Sequence, residues 1–235
     1  MLGKFKLVSM DVFGTLLDIQ EVKESFWKVA LRDRLSADAA SQLKVHCDQL
    51  LFKKFGSLPD AGGEFLTTRA IFETCMREAF TRFGLDIDPV EATRTYIDCF
   101  LIAAPPYAET SQFLDSISKK LPLCLSCDGD NDMLLGPRRL HAFQHVFTSE
   151  DLRAYKLYGD GNFFIKVVER SGIKPAEIIH IGDAPAEILG AMKAGVVGCW
   201  LNRTKQEWPY SVKPDFQVSS LAEAGRVLET GVGDG

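Results

Sequence analysis

The chain has no long apolar run, and nothing in its 235 residues approaches the ~18 consecutive apolar positions of a membrane-spanning helix. It has no Lys/Arg cluster of more than a few residues and carries a net charge of −5, so no surface that tracks nucleic-acid phosphates is expected. Its six cysteines (47, 75, 99, 124, 127, 199) form no disulfide framework and read as reduced thiols. The single CxxC, Cys124 to Cys127, falls in an apolar strand rather than at a helix start, where a reactive thiolate would be stabilised. The opening MLGKFKLVSMD lacks a signal-peptide core and cleavage site, because its apolar residues belong to a strand, and a cytoplasmic protein is the expectation. There is no internal repeat. What is present is an ordinary globular composition, 46% hydrophobic and 25% charged, with ample material for a core.

After about residue 105 two kinds of segment alternate. Apolar runs of strand length occupy Leu121–Ser126, His145–Thr148, Ile178–Gly182 and Val196–Leu201. Between them the spacing predicts helices over Thr110–Lys120, Asn162–Ser171 (stopped by Gly172) and Ala186–Ala194 (stopped by Gly195). Unalternating strands joined by single helices indicate an α/β fold, a doubly wound parallel sheet covered on both faces. An edge strand, Asp215–Val218, and a closing helix, Leu221–Leu228, end the series before a frayed tail, TGVGDG.

The first strand, Phe5–Met10, stands apart from the rest. Glu21–Leu35, Ala37–Phe55, Glu64–Phe83 and Val90–Ala103 carry apolar residues at helical spacing, with GSLPDAGGE (56–64) as a loop and AAPPYAE (103–109) as a stiff connector. A helical insert therefore interrupts the sheet between its first and second strands.

Ligands of such sheets bind at the carboxyl ends of the strands. Strand one ends at Asp11 in SMDVFGTLLD, the second core strand at Ser126 in LCLSCDGDND, Lys156 follows the third in TSEDLRAYK, and the fourth ends at Asp183 in IIHIGDAPAEILGA. A carboxylate, a hydroxyl, a cation and a second carboxylate thus converge on one rim. A lysine near a buried carboxylate keeps it ionised and aims it as a nucleophile, and Gly14 lets the chain turn so that backbone N–H groups can face an anion.

These four segments, in this order, resemble the motifs of the haloacid dehalogenase (HAD) superfamily, and the insert resembles its helical cap. The resemblance implies a Rossmann-like core over 1–17 and 105–235 and a cap over 18–104. It implies that Asp11 is the nucleophile of an aspartyl intermediate, that Thr15 and Ser126 hydrogen-bond the substrate, and that Lys156 neutralises charge. Phe13, Gly14 and Cys127 would line the substrate pocket. Asp11, Asp183, Glu187 and the Phe13 carbonyl would hold Mg²⁺, which prefers hard oxygens.

Two features pull apart. Phe13 stands where phosphatase members carry the aspartate that protonates the leaving group, as in the dehalogenase branch, which CWLNRT also resembles. Asp183 is retained as in phosphatases, whereas metal-free dehalogenases carry serine and asparagine there, and their cap arginine has no counterpart nearer than Lys44. The leading expectation is a Mg²⁺-dependent hydrolase of a small phosphate monoester, as monomer or homodimer. A 2-haloacid dehalogenase is the alternative, and a non-catalytic ligand-binding protein is a third. Plainer readings remain open: Asp183 as a helix N-cap, Glu187 as a charge on a helix dipole, Ser126 as a strand end, His180 as a core histidine, and DGDND (128–132) as a loop or helix cap.

Overall fold

Strand β1 (Leu7–Met10) is buried at every position, as a central parallel strand must be when helices cover both sheet faces. The computed structural model describes residues 4–31, 34–57, 65–158 and 160–230. Five further strands follow: β2 (Leu123–Cys127), β3 (His145–Thr148), β4 (Ile178–Gly182), β5 (Val197–Leu201) and β6 (Phe216–Val218). All pair in parallel, in the order β3-β2-β1-β4-β5-β6. The chain leaves β1 toward β2 and β3, then returns to add β4 on β1's other side. The crevice of this doubly wound sheet accordingly opens beyond the carboxyl ends of β1, β2 and β4.

Strand parity divides the core. Val8, Met10, Ile179 and Ile181 face helices α5 (Thr110–Ser118) and α9 (Leu221–Thr230). Leu7, Cys124 and Ile178 face α7 (Asn162–Ser171) and α8 (Pro185–Lys193). A short helix, α6 (Ser149–Leu152), follows β3. Full burial of a Leu or Ile side chain stabilises by about 1.5–3 kcal/mol, so these layers supply most of the core's cohesion.

Between β1 and α5 lie α1 (Gln20–Leu31), α2 (Ala37–Ser57), α3 (Thr68–Arg82) and α4 (Pro89–Ala103). They enclose an apolar cluster of their own around Phe26, Leu43, Ile71 and Phe80. The chain crosses to this unit and back by two adjacent segments. Asp18 donates its N–H to the Pro105 carbonyl (2.8 Å) and Tyr107 to that of Leu16 (3.1 Å). Thr110 Oγ1 also donates to Leu16 O at 2.8 Å. Ala104, extended at φ −73, ψ 104, ends α4 because the following proline disfavours helical geometry before it.

Several boundaries differ from the sequence expectation. Helix α2 runs on to Ser57, so the 56–64 loop starts later, and residues 58–64 and the 231–235 end of the tail lie outside those described. The helix expected from Glu64 starts at Thr68, where Thr67 Oγ1 accepts the Ala70 N–H. The strand expected from Leu121 starts at Leu123, because Pro122 has no N–H for the ladder. All six cysteines are free, and Cys124 and Cys127 are buried on opposite sheet faces, which excludes pairing. Among the described residues no helix is long and apolar enough to cross a membrane.

Candidate active site

Asp11 follows β1 directly, and its N–H extends the ladder to Ile181 O of β4 at 2.9 Å. The turn that follows places Gly14 at φ +91, where L side chains are strained. A Cβ there would lie 2.4 Å from Asp183 Oδ2. The first loop thus presses its backbone against the second carboxylate, and only glycine permits that approach. Thr15 Oγ1 reaches Asp183 Oδ1 at 3.5 Å, a long contact.

Lys156 opens a tight turn over Lys156–Tyr158. Asp128 fixes that turn by accepting the N–H groups of Lys156 (2.8 Å) and Leu157 (2.9 Å). The side chain is 2% exposed, and Nζ donates to Asp11 Oδ1 at 2.5 Å and to Glu187 Oε2. Glu187 sits in the first turn of α8, and its Oε1 accepts the Ala184 N–H at 3.1 Å. Both Glu187 oxygens are therefore engaged within the protein. Asp183, by contrast, has no ion-pair partner among the described residues.

Asp11, Asp183 and Glu187 bring ligand atoms within 4.8 Å of one another, and a single ammonium pairs with Asp11 and Glu187. Burial raises the Asp11 carboxyl well above its usual value; Lys156 opposes this, while Glu187 and Asp183 add to it. Burial and then Glu187 push Asp183 up to about 6. Burial also acts on Glu187, but Lys156 and His180 overcome it and hold that carboxyl down at about 2. For Lys156, desolvation is outweighed by Asp11, Glu187 and Asp128, and the pKa rises. The cluster is short of positive charge. A hard divalent cation that prefers oxygen ligands fits the donor set.

Beneath the rim, Ser9 Oγ donates to Ser126 Oγ (2.8 Å) and lies 2.9 Å from His180 Nδ1. His180 Nε2 stands 3.4 Å from Glu187 Oε2, and burial lowers its pKa. Strand parity explains this layer, since Ser9, Ser126 and His180 all point toward the α7–α8 side. Ser126 is fully buried and engaged by Ser9, so its hydroxyl is turned away from the crevice.

A cavity of about 500 Å³ separates the site from the helical insert. Phe13 lines it, with Phe52, Phe72, Tyr96 and Leu157 among others. Gly14 and Cys127 do not line it, and Cys127 packs in the core against the α5–α9 face. Lys44 lines a separate hollow of about 130 Å³ inside the insert.

Sequence reading missed several supports. Asp128 and Asp130 were legible as a loop or helix cap, but the backbone groups they hold were not. Asp130 caps α3 by accepting the N–H groups of Thr68 (2.8 Å) and Arg69 (3.0 Å), about sixty residues upstream. Trp200 Nε1 donates to Asp183 O at 2.9 Å. Arg203 donates to Thr15 O (3.0 Å) and Glu109 Oε1 (2.6 Å) and lies over the Tyr107 ring. Thr15, Glu109 and Tyr107 belong to the first loop and the return crossing, so one guanidinium ties the two together. An arginine just past a buried strand end was the available signal.

The chain is similar to the (S)-2-haloacid dehalogenase of Pseudomonas sp. (strain YL), 23% identical over 236 residues, covering 97% of this chain and 96% of the relative. It is 30% identical over 125 residues to the phosphoserine phosphatase of Thermus thermophilus, covering 51% of this chain and 49% of that one. In fold it matches the magnesium-bound HAD-hydrolase YfnB of Bacillus subtilis, with TM-score 0.80, 20% identity and coverage of 96% and 99%. It also matches the L-2-haloacid dehalogenase of Xanthobacter autotrophicus with chloropropionic acid covalently bound, with TM-score 0.77, 18% identity and coverage of 97% and 100%. Residues 5–195 match the haloacid dehalogenase-like hydrolase family, and the chain belongs to that family of hydrolases.

Proposed function

We propose that the protein is a Mg²⁺-dependent phosphohydrolase of small organic phosphate monoesters, acting through a covalent intermediate on Asp11. The observation that carries this reading is the meeting of three carboxylates within 4.8 Å, of which one lysine pairs with two and leaves Asp183 without an ion pair among the described residues. Glu187 is occupied by Lys156 and the Ala184 amide, which leaves Asp11 and Asp183, with the Phe13 carbonyl, to hold the ion. Mg²⁺ bound there would supply charge neutralisation for the phosphoryl group and its carboxylate neighbours. The chain's own residues do the rest. Lys156 pins Asp11 Oδ1 and opposes the pull of burial toward the protonated form, so that Oδ2 is aimed at phosphorus. Glu187 and Asp128 aim the lysine, and the Gly14 turn offers amides to the phosphoryl oxygens. The helical insert covers the crevice and limits water.

A second reading, 2-haloacid dehalogenase, is favoured by one observation: Phe13, with no proton to give, lines the cavity where the leaving group departs. Halide needs no proton. Against it, the carboxylate of a haloacid would need a cation, and among the described residues none lines that cavity.

Phosphate release from a monoester panel with Mg²⁺ or EDTA, and halide release from chloropropionate, separate the two. Phosphate release abolished by EDTA and by Asp11→Asn is expected. Halide release that needs Asp11 and ignores EDTA would replace this reading with the second.

A further inference from the structure

Two features left unexplained by a general phosphatase concern the same half of the substrate. The first is the lining of the cavity. Phe13, Phe52, Phe55, Phe72 and Tyr96 surround it, and among the described residues its only charged lining is Asp48 and Asp128. Its volume of about 500 Å³ falls within the roughly 300–1,000 Å³ in which proteins bind small molecules. Phe52 is 85% exposed at its edge, an aromatic ring in water unless a ligand covers it. Two acidic lining residues and no cation among those described disfavour an anionic leaving group, whether a second phosphate or a dicarboxylate.

The second feature is the residue two positions after the nucleophile. When the P–O bond of a monoester breaks, the leaving oxygen keeps the electron pair. An alkoxide is too basic to leave readily without a proton, and the phenyl ring of Phe13 has none to donate. A phenolate is far more stable, with a tyrosine-like pKa of about 10, and departs unprotonated.

Resting on the phosphohydrolase reading, we propose that the substrate is an aryl phosphate: an uncharged aromatic body fills the cavity and its phenolic oxygen is the leaving group. Asp11 Oδ2 attacks phosphorus, the bond to the aryl oxygen breaks, and the phenolate leaves with the electron pair. Water then attacks phosphorus, the bond to Asp11 breaks, and the water proton passes to the released phosphate. Phe13 acts as a specificity residue, stacking on the ring and denying alkyl esters the acid they need.

The test compares naphthyl phosphate, cyclohexylmethyl phosphate of similar bulk, and acetyl phosphate, which needs neither acid nor cavity, all with Mg²⁺. Naphthyl phosphate should exceed the cyclohexylmethyl ester in kcat by about 10² or more, the usual worth of a general acid. Phe13→Asp should raise turnover of the cyclohexylmethyl ester by about 10²–10⁴ and move that of naphthyl phosphate less than tenfold. Phe52→Glu should raise KM for naphthyl phosphate roughly tenfold through lost apolar contact. Equal Asp11-dependent turnover of the two esters overturns the aryl assignment and leaves the phosphohydrolase intact. No Asp11-dependent phosphate release from any of the three, acetyl phosphate included, overturns the phosphohydrolase reading itself. Should Phe13→Asp fail to fold, the wild-type comparison alone decides.

Discussion

Replacing Gly14 with alanine separates two costs that usually travel together. The backbone there is at φ +91, so any L residue incurs about 1–2 kcal/mol of local strain. Independently, the new Cβ would lie 2.4 Å from Asp183 Oδ2, and ordinary contact begins near 3.4 Å, so the carboxylate must retreat by about 1 Å. A displacement of that size in a catalytic group costs about 10²-fold in rate. Gly84 provides the control, because it also has positive φ (+63) but nothing lies within 4 Å of a Cβ placed there. Gly84→Ala should lower stability by about 1 kcal/mol and leave turnover alone. Gly14→Ala should lose a similar or larger amount of stability and about 10²-fold in kcat/KM. Thermal melting and Asp11-dependent hydrolysis of an aryl phosphate, run on both variants, give the two numbers. Wild-type turnover in Gly14→Ala would refute the claim that the first loop sets the position of Asp183.

Lys156→Met should destabilise the metal-free protein by about 3–5 kcal/mol at neutral pH, since it leaves buried carboxylates without their cation. Glu187, held at about 2, contributes stability that is present above its unfolded pKa and lost as pH falls toward 2, so the deficit of the variant in melting temperature should shrink on acidification. Asp183, raised to about 6, works in the opposite sense: without metal it lowers stability as pH climbs from about 4 through 6. Because a cation binds the ionised form, apparent Mg²⁺ affinity from melting shifts should rise as pH climbs through 6, and a flat profile would contradict the site. Asp130→Ala should cost about 0.5–2 kcal/mol and speed amide exchange at Thr68 and Arg69, while Ala70, capped by Thr67, stays protected.

The parallel sheet was legible because burial on both faces writes each strand as an unbroken apolar run. His145–Thr148 and Ile178–Gly182 were bounded correctly for that reason. Asn162–Ser171 was too, since Gly172 at φ +67 supplies an unambiguous stop. Convergence of Asp11, Lys156 and Asp183 followed from chain order, because strand ends in such a sheet share one rim; Ser126 was expected there with them, and Glu187 entered only through the family resemblance. What sequence order cannot carry is which way a side chain points and which distant backbone it meets. Ser126 looked like a strand-end hydroxyl; parity turns it inward to Ser9 instead. Asp128 and Asp130 looked alike in one acidic loop, yet one fixes the lysine turn and the other caps a helix of the insert. Arg203 binds groups some ninety or more residues away in sequence, beyond any local pattern.

On this reading Asp11, aimed by Lys156, attacks phosphorus and is released by water attack on that same phosphorus. A single turnover of naphthyl phosphate in heavy-oxygen water, followed by mass analysis of the phosphate and of the Asp11 peptide, tests it directly. Samples quenched before completion should carry a phosphorylated Asp11 peptide, and completed turnover should leave label in the phosphate and none in Asp11; the same label pattern with no phosphorylated Asp11 at any time would mean that water attacks the ester directly. Label in the Asp11 carboxylate after turnover of a haloacid, with none transferred to phosphate from any monoester, would contradict the reading.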